Sequence, residues 1–330
     1  MLEQRRSDVL RALVEAHIKT GEPVSSRAIL EETDLGVSAA TIRNDLASLE
    51  REGYVAQPHT SAGRIPTPRA FRYYVDHVGP GRLGSSDQRR IAAFFSSVQL
   101  ELSNLFRATS QLLAEVTHYP SVVVSPGASG EVVRGLHIVQ VSSQSLMAVL
   151  VTDRGRVIQH QLRWNESIEP DEVADLERLI ARLLVGTELG RGPVSQDLFG
   201  DQPRTVREVG LAMMTLLRQS AALPGEIYVG GTRQMSDAWP NLGAVHRVLE
   251  VLEREAELLS LLVHASGVSI RIGEEVPVAE GLDLAVVSTT YEAGGAEGSI
   301  GVIGPMRMNY RATISAVQRV GQALQDRISS

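Results

Sequence analysis

The sequence predicts an α+β protein whose helices and antiparallel strands fall in separate blocks of the chain. Two observations carry that prediction. Apolar residues recur at three- and four-residue steps from Val9 to Val116, and from Val132 to Trp164 they change to alternation with polar residues. Beyond Pro224, short strands and helices mix and close on a helix. The chain has 330 residues, enough for two or three domains.

Residues 3 to 20 place Val9, Leu10, Leu13, Val14, Ala16 and Ile18 near helical spacing, and "TGEP" stops that helix. A short second helix follows, with Ser25 as its N-cap and Ala28 and Ile29 on its apolar face. In "SAATIRNDLASLEREGY", Ser38 caps, Ile42, Leu46 and Leu49 recur at i, i+4 and i+7, and Gly53 ends the third helix. "YVAQP" and "RIPT" read as short strands flanking a turn that contains Gly63. Helix, helix, turn, helix and hairpin in that order make a winged helix-turn-helix. A helix over 69–78 then runs into "GPGRLGSS", a flexible cluster that marks the first domain boundary.

The spacing predicts one long helix from about Asp87 to His118. Its seam of Ile91, Phe95, Val98, Leu102, Leu105, Thr109, Leu112 and Val116 alternates steps of four and three. Phe94, Phe106 and Leu113 widen the stripe, so this helix either lies against a sheet or pairs with a second copy. "GLHIVQVSS", "SLMAVLVTD" and "GRVIQHQLRW" read as three antiparallel strands, followed by helices at 171–185 and about 204–221. Strand "EIYVGG", a helix over 242–259, strands "GVSIRIG", "LDLAVVSTTY" and "GSIGVIGP", and a helix from about 306 to 327 complete the chain.

Composition excludes several classes of function. The formal net charge is −7, so the whole molecule is no generic polyanion binder. Any nucleic-acid contact has to come from a local concentration of basic and hydroxyl groups, because charges beyond roughly 8–10 Å are screened. There is no cysteine, which excludes disulfides and thiolate chemistry, and the eight histidines are scattered without a helical pair. No metal and no cofactor is expected. Neither a signal peptide nor a membrane-length apolar run is present, so the expected compartment is the cytoplasm. "GGAEGSIGVIG" lacks the ending of a phosphate-binding loop and reads as a hairpin turn, and Glu274, Glu275 and Asp283 read as a solvated strand end. With no catalytic constellation to name, an enzyme is not expected.

The third helix and the hairpin hold the candidate binding residues. With Ile42, Leu46 and Leu49 inward, Ala40, Thr41, Asn44, Ser48 and Arg51 face outward and Arg43 lies on the flank. Small residues at the start of a helix let it approach base edges; arginine can bridge guanine O6 and N7, and asparagine can pair with adenine. In the hairpin, Thr60, Ser61 and the backbone around Gly63 suit phosphate oxygens, and Arg64 at the tip suits a narrow minor groove. From Gly53 to Val75 there is no acidic residue, so Arg64, Arg69 and Arg72 make the segment locally positive.

"PVSSRAI", "VSAATIRNDLASLEREGYVAQPHTSAGRIPT" and "GSIGVIGPMRMNY" together resemble the heat-inducible transcription repressor family HrcA, over nearly the whole chain. "TIRNDL" alone also resembles sugar-metabolism repressors of the DeoR type, which would make the alternative a ligand-responsive repressor with a small-molecule sensor domain. The HrcA resemblance implies three parts: a winged helix-turn-helix over 1–80, a GAF-like domain over 81–130 and 223–330, and an inserted dimerisation domain over 131–222. It further implies repression of chaperone operons by a homodimer on an inverted-repeat operator, release on heat stress, and a chaperonin as modulator. Carried over by position, Ser38 to Asn44 read the major groove and His59 to Arg64 form the wing. Ser25, Ser26 and Arg27 complete the set of DNA contacts. Ala70, Phe71 and Arg72 stand where the family often has Gly-Tyr-Arg, and Leu46 replaces a frequent Met; both are changes of packing.

Overall fold

Three short helices open the chain because their apolar stripes can only be buried against one another. These are α1 (Gln4–Thr20), α2 (Ser26–Glu32) and α3 (Ala39–Arg51). Val9, Leu10, Leu13, Ile29, Ile42, Leu46 and Leu49 are all buried in this bundle. The computed structural model describes residues 2–33, 36–59, 62–128, 130–191, 194–220, 225–239, 242–262, 267–276, 283–293 and 295–329. Strands β1 (Val55–Ala56) and β2 (Ile65–Pro66) pair antiparallel, Val55 opposite Pro66. Helix α4 (Pro68–His77) begins on a proline, whose fixed φ and missing N–H suit a first turn.

Helix α4 joins this unit to the rest. Its Phe71 and Tyr74 are buried, the Phe71 ring lies 6.1 Å from that of Tyr310, and the Tyr74 hydroxyl donates to Glu15 at 3.3 Å. Burial, reinforced by the Glu15 carboxylate, pushes the Tyr74 hydroxyl well above its ordinary pKa, so it stays a donor. The boundary segment is not a free linker as its composition suggests. The Gly81 amide donates to the Arg311 carbonyl at 2.9 Å and Ser315 Oγ to the Gly81 carbonyl at 2.6 Å. Neither bond has a signature in the segment's own residues.

The long helix expected over 87–118 is two helices, α5 (Ser85–Ser97) and α6 (Leu102–Thr117). The break follows from serine chemistry: Ser96 and Ser97 turn their hydroxyls back onto the carbonyls of Ala93 and Phe94, and Val98 is extended. The heptad seam therefore crosses a corner. Of the two readings left open, α6 takes the first: Leu105, Phe106, Leu112, Leu113 and Val116 are buried in one core with Val123, Tyr228 and Ile300 of the sheet.

Strand β3 (Ser121–Val124) leads out of the main sheet into a second unit. Strands β4 (Val133–Ser142), β5 (Ser145–Thr152) and β6 (Val157–Arg163) form an antiparallel meander, covered on one face by α7 (Pro170–Leu184) and α8 (Arg204–Ser220). Leu136, Ile138, Leu146, Ala148 and Leu150 fill its core with Leu176, Ile180 and Met213. The chain then returns as β7 (Ile227–Gly230), paired antiparallel with β3, Ile227 opposite Val124. Leu150 is fully buried, so Leu150→Ala is expected to destabilise this unit by about 2–5 kcal/mol. Urea unfolding followed by the fluorescence of Trp164, which packs against the same core, checks it.

The remaining elements are α9 (Met235–Ala238), α10 (Leu242–Glu253), α11 (Glu255–Leu262), β8 (Val268–Ile272), β9 (Leu284–Ala293), β10 (Ala296–Pro305) and α12 (Tyr310–Ile328). The helix expected over 242–259 is thus divided near Arg254, and the closing helix starts at Tyr310 rather than 306. The five strands lie in the order β7-β3-β10-β9-β8. Period two assigns their faces: Val123, Ala285 and Val287 meet α6 and α12, whereas Val122, Val124, Leu284 and Val286 meet α9, α10 and α11. The glycine-rich stretch is the β9–β10 hairpin, with Gly295 at φ 83° in the turn. Among the described residues, no helix is long and apolar enough to cross a membrane.

Candidate nucleic-acid interface

Both predicted caps are present. Ser25 Oγ accepts from the Ala28 amide at 3.1 Å and Ser38 Oγ from the Thr41 amide at 3.2 Å, fixing the starts of α2 and α3. Ser38, Ala40, Arg43, Asn44 and Arg51 are exposed, and Thr41 and Ser48 are half-buried. The last two hydroxyls are used locally: Thr41 Oγ1 meets Ser38 Oγ at 3.0 Å, and Ser48 Oγ donates to the Asn44 carbonyl at 3.2 Å and accepts from Arg51 at 3.0 Å. Arg43 makes no side-chain hydrogen bond or ion pair among the described residues. On α2, Ser26 is half-buried, and the exposed Arg27 is held by Glu31 at 2.8 Å.

The hairpin is fastened to α2. Val24, directly before the Ser25 cap, exchanges both backbone hydrogen bonds with Arg64, at 2.8 and 2.9 Å. That approach requires Gly63, since a Cβ there would sit 2.4 Å from the Val24 carbonyl oxygen. Gly63→Ala is expected to open the Val24–Arg64 bridge, at about 0.5–1.5 kcal/mol per lost hydrogen bond. Faster amide exchange at Val24 and Arg64, with α3 still protected, is the signature; unchanged exchange would show that the hairpin can shift aside. His59 is exposed at the turn, where its carbonyl accepts from the Ala62 amide at 2.9 Å. Thr60 and Ser61 lie outside the described residues.

The arginines of this segment do not form the free positive patch expected of them. Arg64 stands at the base of the hairpin, not its tip, and its guanidinium binds Glu50 of α3 at 2.9 Å. Arg69 donates to the Glu52 carbonyl at 2.7 Å and stacks 4.5 Å over the Tyr54 ring. Arg72 reaches the Ile270 carbonyl at 3.0 Å and Glu275 at 3.2 Å. Sequence spacing missed these pairings because their acceptors lie on other elements.

A second arginine–carboxylate pair also escaped notice. Asp45 is 5% exposed and takes two hydrogen bonds from Arg5 of α1, at 2.9 and 3.1 Å. Its signal was legible: Asp45 lies three residues after Ile42, within the buried stripe, where a carboxylate requires a partner. Arg6 similarly holds Glu52 at 2.6 Å. The consequence is electrostatic. Asp45, Glu50 and Glu52 are each neutralised by an arginine from elsewhere, so the exposed face of α3 from Ser38 to Ala47 presents no free carboxylate.

A helical unit with an acid-neutralised, exposed helix beside a fastened hairpin, joined to a larger α+β body, is the layout of a transcription regulator. Residues 103–314 match the model of the HrcA protein C-terminal domain. The heat-inducible transcription repressor HrcA of Rhodococcus jostii (strain RHA1) is 36% identical, covering 98% of this chain and 99% of the relative. Its namesake from Acidothermus cellulolyticus is 37% identical, covering 98% and 97%. A crystal structure of a hypothetical protein at 2.2 Å resolution shares the fold, with a TM-score of 0.63, 24% identity and coverage of 99% and 98%. The chain belongs to the HrcA family of heat-inducible transcription repressors, which are not enzymes.

Proposed function

We propose that this chain represses chaperone operons in the cytoplasm by binding an inverted-repeat operator as a homodimer, and that heat stress releases it. In this reading the first eighty or so residues are a winged helix-turn-helix. Helix α3 enters the major groove with Ala40, Arg43 and Asn44 toward the bases, while the caps Ser25 and Ser38, with Ser26 and Arg27, lie toward phosphates. The hairpin is the wing. The observation that carries this is the neutralisation of Asp45, Glu50 and Glu52, which removes the charges that would repel a phosphate backbone.

The five-stranded sheet is read as a GAF-like domain and the excursion between Val124 and Ile227 as an inserted dimerisation domain. Supporting the latter, the meander buries one face only. On the other, Val139, Val141 and Val157 are about half exposed, and Met147, Val149 and Val151 stand between them. Solvated sheet faces ordinarily alternate to polar residues, and a valine-rich one suits a second copy of itself. A chaperonin is the proposed modulator, acting on the apolar stripes of 87–118 and 171–185 when the fold loosens.

A gel shift with an inverted-repeat operator and a scrambled control, across salt concentrations, tests the reading. Selective binding that weakens along a salt slope is expected. Equal binding to both duplexes would refute operator recognition.

A further inference from the structure

A cleft of about 460 Å³ lies between the amino-terminal unit and the five-stranded body. We propose that it is a binding site for a small organic carboxylate, and that its occupancy fixes the orientation of the DNA-reading unit. The size is within the ordinary range for small-molecule sites, which favour such junctions.

The walls come from both sides. Phe71 of α4 and Pro66 of β2 stand on one, Trp239 and Met306 on the other. Phe71 and Trp239 are 2% and 5% exposed, so packing fixes both side chains and only their edges reach the cleft; the Trp239 Nε1 is buried without a hydrogen-bond partner among the described residues, a donor that a ligand oxygen can satisfy. Among the described residues, the ionisable groups at the cleft are Arg247, Arg307, Asp283 and His17. Two arginines against one carboxylate leave an excess positive charge. Arg307 already donates to the Ala238 carbonyl at 3.2 Å, and the His17 ring nitrogen lies 2.9 Å from the Glu22 carbonyl oxygen. Arg247 is exposed and has no hydrogen-bond or ion-pair partner among the described residues, which leaves its planar fork for a carboxylate.

Coupling follows from the placement. Pro66 is the hairpin residue paired with Val55, and Ile65 beside it lines the same cleft. A ligand bridging Arg247 and these residues binds one arrangement of hairpin and body more tightly than any other. Ligand and operator affinities must then change together, by the same factor. This inference deepens the repressor reading and rests on it for the coupling, but not for the binding itself.

The test is isothermal titration of the full chain with benzoate and 2-naphthoate, beside benzamide and benzylamine of similar shape. Saturable binding of the carboxylates is expected, with the amide and the amine at least tenfold weaker. Arg247→Gln, at an exposed position outside the DNA-facing set, is expected to weaken carboxylate binding at least tenfold. It should leave operator binding in ligand-free buffer unchanged. Saturating carboxylate is expected to shift operator affinity severalfold in the parent chain and not in the variant. No saturable carboxylate binding, equal binding of benzamide, or full binding by the variant would each overturn the site. Carboxylate binding without any shift in operator affinity would overturn the coupling. Operator binding without ligand is read separately, so losing the site leaves the repressor reading standing, and the reverse holds as well.

Discussion

A Val149→Asp variant is expected to sediment as a monomer at micromolar concentration and to bind an inverted-repeat operator at least a hundredfold more weakly than the parent chain. Val149 lies in mid-strand on the outer face of the meander, opposite His137 on β4 and Gln159 on β6. The side chain does not enter the packed core made by Leu146, Ala148 and Leu150 on the other face, so an isolated subunit accommodates aspartate there. A twofold interface is different, because a residue near its axis meets its own copy. Two carboxylates would then be desolvated side by side, and the valines around them lose their partners. Loss of pairing carries over to DNA. In a dimer the second half-site is bound at an effective concentration set by the first, which is worth roughly a hundred- to ten-thousandfold without any new contact. Sedimentation and gel shift on the same preparation separate the outcomes. A variant that remains dimeric places the interface elsewhere, and one that is monomeric yet binds the operator fully removes the need for pairing.

Legibility in the sequence followed the range of the interaction. Ser25 and Ser38 were readable as caps because a cap is local: the hydroxyl serves an amide three residues on. The meander was readable because alternation over eight residues admits little else. The helix break at Val98 was missed for a graded reason, since Ser96 and Ser97 tilt the balance only when the following segment gains by turning toward the sheet. The roles of the arginines were misread for a stronger one. A cation near a suspected DNA surface satisfies either a phosphate or a carboxylate, and the partners of Arg64 and Arg5 lie 14 and 40 residues away. Asp45 could have corrected the count. Its place in the buried stripe of α3 demands a cation, and each cation so consumed is one fewer for the nucleic acid.

That accounting sharpens what to expect of Arg43. Arg51 is engaged by Ser48, Arg27 by Glu31 and Arg64 by Glu50, which leaves Arg43 as the cation on the outward part of α3 without a partner among the described residues. It lies in the first two turns, where a recognition helix meets base edges, beside Ala40, whose small side chain permits close approach. A bidentate contact to guanine carries about 1–3 kcal/mol of discrimination. A symmetric operator contains the contact twice, so Arg43→Ala is expected to lower operator affinity by about 2–6 kcal/mol, while scrambled DNA loses far less. Arg43→Lys separates geometry from charge. Lysine preserves the charge and loses the planar fork, so a base-reading arginine predicts that the lysine variant falls close to alanine on the operator. A phosphate-binding arginine predicts near-complete rescue by lysine, and in that case equal losses on both duplexes with a shallower salt slope. Because Arg43 is exposed and makes no side-chain hydrogen bond or ion pair among the described residues, neither substitution is expected to move the unfolding midpoint, and a change in binding reports on the contact with DNA alone.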